Sequence, residues 1–62
     1  MNLSPEERVK FAQYLNQVSA DDDKLAVECE KIEQIGLAKR LRNEAAAARI
    51  VAGRLLSIQE ES

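Results

Sequence analysis

LAKRLRNEAAAARIVAGRLLSI, residues 37–58, places Ala38, Ala45 and Ala52 seven apart, with Leu41, Ala48 and Leu55 interleaved between them. On an α-helix those six positions form one continuous stripe, and side chains so small admit a neighbouring helix backbone at short range. The spacing predicts a helix over 37–58 that presents Leu37, Ala38, Leu41, Ala45, Ala48, Ala52 and Leu55 as an interaction surface. A flanking column of Leu37, Glu44, Val51 and Ile58 widens the apolar face beyond the seam that one partner helix covers. The stripe has two candidate occupants. One is the first half of the same chain, and the other is a helix of a second chain; a dimer of hairpins uses both.

The residues upstream read as helix too. Ser4, Pro5, Glu6 and Glu7 combine an N-cap serine, a proline at the first helical position and a glutamate that can bond back to the cap, so a helix starts at Pro5. Its apolar face is Phe11, Leu15 and Val18, flanked by Val9, Ala12 and Tyr14, with Glu6 and Lys10 as an i,i+4 pair. Ser19 followed by Asp21, Asp22 and Asp23 repeats the capping pattern and predicts a break near 18–20. An unbroken helix from Pro5 to Ile35 also fits, because Phe11, Val18, Leu25 and Ile32 lie seven apart, but it sets Asp22 in the seam. The favoured division is therefore three helices, about 5–18, 21–35 and 37–58. Leu25, Cys29 and Ile32 point inward on the second, Gly36 forms the turn before the third, and 59–62 form a frayed tail. A single helix from Asp21 to Ile58 that tolerates Gly36 stays open, since no Ser, Thr, Asp or Asn caps the restart.

Size sharpens the problem of stability. A domain of 62 residues buries only about 60% of the surface its unfolded chain exposes. Small folds compensate with disulfides, a metal or oligomerisation. Cys29 is the only cysteine and histidine is absent, which removes an intrachain disulfide and any ordinary zinc site and leaves oligomerisation. The expectation is an all-α antiparallel bundle or hairpin of two to three helices, one domain, assembling as a homo-oligomer.

The same absences bear on function. Nucleophilic triads lack their usual base, and Gly36 and Gly53 are isolated and form no phosphate-cradling loop. Asp21, Asp22 and Asp23 suit a helix start better than a metal, whose ligand loop would carry a glycine. Cys29 shares a face with Leu25 and Ile32 and reads as a small core side chain. No catalytic residue, cofactor, metal or small-molecule substrate is expected.

Charge is uneven along the chain. Residues 1–36 balance to −4 and residues 37–58 to +4 within a net −2. Lys39, Arg40, Arg42, Arg49 and Arg54 raise the alternative of a small dimeric nucleic-acid-binding regulator, with Arg42 and Arg49 in one column and Arg40 and Arg54 in another. An acidic chain whose only aromatics, Phe11 and Tyr14, lie on another segment favours cross-helix pairing instead. The longest apolar runs, 45–48 and 50–52, fall far short of the roughly 18 residues of a membrane span, and the acidic start lacks a secretory signal, so a cytoplasmic protein is expected. The overall pattern resembles that of small hairpin proteins that dimerise into four-helix bundles, a fold-level likeness that assigns no function by itself. The leading expectation is a non-enzymatic protein-protein interaction or regulatory module, binding a second copy or another protein.

Overall fold

The computed structural model describes residues 2–57, which form two antiparallel helices, α1 (Pro5–Lys31) and α2 (Ile35–Ser57). The hairpin is 51 Å long and 14 Å across. At its start, the Ser4 side chain accepts from the Glu7 backbone N–H at 3.1 Å, and the Ser4 N–H donates to Glu7 Oε1 at 2.8 Å. That returned bond stabilises the carboxylate and holds the Glu7 pKa below its ordinary value. The expected Glu6–Lys10 pair forms on the first turns, at 3.6 Å.

Two expected boundaries move. The break near 18–20 does not occur: α1 runs through Ser19 and all three aspartates, so the three-helix division gives way to two helices. No glycine or proline interrupts the helix after Pro5. The carboxylates find other work, Asp21 accepting from Gln17 one turn back at 3.0 Å and Asp23 pairing with α2. Nor does Gly36 make the turn. The Glu33 N–H donates to the Glu30 carbonyl at 3.0 Å and the Gln34 N–H to the Cys29 carbonyl at 2.8 Å, a Schellman closure with Glu33 in the left-handed region at φ 62°. Glutamate takes the role usually given to glycine, and α2 begins at Ile35 with Gly36 already inside it. The expected extension to Ile58 and the tail at 59–62 lie outside the described residues.

The seam follows alternating steps of four and three. On α1 it reads Arg8, Ala12, Leu15, Ser19, Asp22, Ala26 and Cys29; on α2 it reads Ala38, Leu41, Ala45, Ala48, Ala52 and Leu55. Sustained spacing of this kind is the signature of two helices wound about each other. Alanine takes four of the six seam positions on α2, facing mostly small or polar side chains on α1, so little apolar area is enclosed. Ala12, Ala52 and Leu55 form one cluster with Leu3 and Leu15 against it, and Ala26, Cys29 and Ala38 form a second beside Leu41. Between them lies a polar waist at Ser19 and Asp22.

Gly53 sits inside α2, where a Cβ would meet nothing within 4 Å. Gly53→Ala therefore raises the unfolding free energy by about 0.5–1 kcal/mol through the unfolded chain's lost freedom, read as a higher urea midpoint.

Candidate interaction surface

Ala38, Ala45, Ala48, Ala52 and Leu55 are all buried against α1 of the same chain. Their first candidate occupant is thus the protein's own helix. Leu41 is half-buried beside them, and Leu37 stands off the seam with 47% of its surface exposed.

The two flanks of the seam differ in chemistry. On one, Arg49 Nη1 pairs with Asp23 Oδ2 at 2.9 Å and also donates to the buried Ser19 hydroxyl, while Arg42 Nη2 pairs with Glu30 Oε1 at 2.6 Å. Arg42 and Arg49 are seven apart, as are Asp23 and Glu30, so one row of α2 faces one row of α1. Exposed ion pairs contribute only about 0–1 kcal/mol each, but this row records which sides of the helices meet.

The opposite flank is apolar. By the same seven-residue rule it carries Phe11, Val18, Leu25 and Ile32 from α1 and Leu37 and Val51 from α2. Leu25 and Ile32, expected inward, are 53% and 68% exposed, and Phe11 is 45% exposed with its ring tilted against Tyr14 at 6.5 Å between centroids. Leu15, Leu41 and Leu55 are the large apolar residues that the seam takes in, and the rest of its apolar positions are small. Small residues take the centre of the seam and the bulky column is displaced one step sideways. Size, which sorts the two neighbouring columns, is the signal that hydrophobicity alone misses. Val9 and Leu56 are also exposed, in line with the columns of the ion pairs, while Val27 and Ile50 are scattered singly, as on most protein surfaces.

One pair of acids interrupts this flank. Glu44, on the Leu37–Val51 column, meets Asp22 of the seam, and the Glu44 pKa is raised by the hydrogen bond to Asp22, by the charge of Asp22 and by desolvation, in that order. Asp22 Oδ2 is buried with no hydrogen-bond donor.

The remaining candidates separate. Lys39, Arg40 and Arg54 are exposed, while Arg42 and Arg49 are engaged with α1, so the five basic residues do not converge on one free face. Cys29 is buried in the seam as an unpaired thiol. Among the described residues no group of three or more His, Cys, Asp or Glu side chains is placed to hold a metal ion, no cavity opens between the helices, and no helix is long and apolar enough to cross a membrane. No protein-family model, curated protein or solved structure matches the chain.

Proposed function

We propose that the protein works by binding, without catalysis, as a homo-oligomer whose hairpins meet through the apolar flank of Phe11, Val18, Leu25, Ile32, Leu37 and Val51. The observation that carries this reading is the row of large apolar side chains left outside the seam, most of it on the flank opposite the ion pairs. A two-fold pairing covers the flank with itself, since a symmetric contact needs only one self-complementary patch, and it yields four helices around a shared core. The ladder then serves each hairpin internally, and the contact between chains sits beside it.

Sedimentation equilibrium or light scattering over a range of concentrations tests the reading. The expected result is a mass that rises from one chain to two; a single-chain mass up to millimolar protein overturns it.

A further inference from the structure

We propose that the two-fold axis of the dimer runs along the hairpins, so that both turns lie at the same end and α1 of each copy meets α2 of the other. This rests on the self-association reading and adds to it the orientation of the second copy and the residues that set it. Charge on the two edges of the apolar flank carries the proposal. One step further round α1 than Phe11, Val18, Leu25 and Ile32 stands the column Glu7, Tyr14, Asp21 and Glu28, and one step further round α2 than Leu37 and Val51 stand Arg40, Ala47 and Arg54. All seven are exposed. The ring contact of Phe11 with Tyr14 marks how near the edge column lies to the flank. The α1 edge carries acids and no base, and the α2 edge carries bases and no acid.

A second copy can cover the flank in two ways. With the axis across the hairpins the turns point apart, α1 lies on the partner's α1 and α2 on the partner's α2, so acids border acids and arginines border arginines. With the axis along the hairpins, each acidic edge borders the partner's arginine edge. Like charges brought together across a contact suppress the wrong pairing. Glu44, the one charge within the flank's own columns, enters the contact in either arrangement and does not choose between them.

Heights along the helices agree. The seam clusters Cys29 with Ala38 and Ala12 with Leu55, and on that count Glu28 is level with Arg40 and Tyr14 with Arg54 to within about one residue, or about 1.5 Å of rise. An axis parallel to the helices leaves every residue at its own height. Glu28 therefore meets the partner's Arg40 as an ion pair, and Tyr14 offers its ring to the partner's Arg54, each contact occurring twice. Both arginines are available for this: among the described residues neither makes an ion pair, in contrast to Arg42 and Arg49. Glu28 is held only by its exposed neighbour Lys31 at 3.3 Å. An occupant of this flank must be basic along one edge and acidic along the other, which a second copy is, whereas a nucleic acid would be repelled along the α1 edge.

Two measurements test the orientation. A nitroxide on Gln34→Cys, in a Cys29→Ala background, reports the distance between turns in the dimer by pulsed electron paramagnetic resonance. The expected separation is within about 25 Å, near two helix diameters. A separation approaching the 51 Å length of the hairpin overturns the orientation and leaves self-association standing, whereas a chain that stays single overturns both. In sedimentation equilibrium, with circular dichroism reading the fold, Glu28→Arg should weaken the dimer about tenfold, because two attractive contacts become repulsive. Adding Arg40→Glu should restore it to within about twofold of wild type, since the pair is then only exchanged. A dimer unaltered by Glu28→Arg alone overturns the charged edges as the orienting feature.

Discussion

Ala52→Leu unfolds the hairpin more easily by about 1–3 kcal/mol, the usual cost of forcing added methylenes into a packed site. Ala52 is 1% exposed and packs with Ala12 and Leu55, so a leucine there has no space to enter without pushing α1 away. Separation at one point is felt along the seam, because the helices are stiff and their closeness is what brings Arg49 to Ser19 and Asp23. The control is Ala46→Leu, on the exposed side of the same helix, where the change stays within about 0.5 kcal/mol. Urea denaturation followed by circular dichroism separates the two. Equal effects at both positions mean that close approach is not what the alanines provide.

Leu25→Glu has the opposite profile. The side chain is 53% exposed on the hairpin and stands in the middle of the apolar flank. The isolated hairpin should lose only about 0.5 kcal/mol, as surface substitutions do. A two-fold dimer, however, carries the substitution twice: two leucines, each contributing part of the roughly 1.5–3 kcal/mol of full burial, give way to two charges that must be desolvated. The expected loss is at least about 100-fold in the dimerisation constant, close to 2.7 kcal/mol. Sedimentation equilibrium reads the association and circular dichroism reads the fold. A dimer undiminished by Leu25→Glu places the interface elsewhere. Arg42→Gln on the ion-paired flank supplies the comparison and should leave the dimer within about twofold, since exposed pairs contribute so little.

How much of the fold could be read from residues alone depended on which physical rule was local. The start of α1 is written in four consecutive residues, Ser4 to Glu7, and the structure closes that box as expected. The ladder was legible because one small side chain repeated every seven residues marks a helix face shaped for close approach, and its burial against α1 fits. The aspartate run misled because capping is a local rule, whereas the partner that keeps Asp23 inside a continuous helix is Arg49, far along the chain. Gly36 misled for a related reason. Glycine favours a left-handed residue but does not compel one, and Glu33 adopts φ 62° where the backbone bonds of the Schellman closure hold it. Phe11, Leu25 and Ile32 were set inward on hydrophobicity. They stand one step beside a seam whose side chains are mostly small, a distinction of volume that hydrophobicity does not carry.

The three residues joining α1 to α2 act as a ruler. Seen from α1, the ladder of α2 looks nearly the same after a shift of seven residues, alanine again meeting small side chains. Such a slip would even retain one ion pair, with Arg42 facing Asp23 in place of Glu30. Little in the lateral contacts therefore tells one alignment from the next. The tether does, because Ile32 to Gln34 leave no slack for α2 to slide. Cut there, the same two helices would have several ways to lie together and weak grounds for choosing among them.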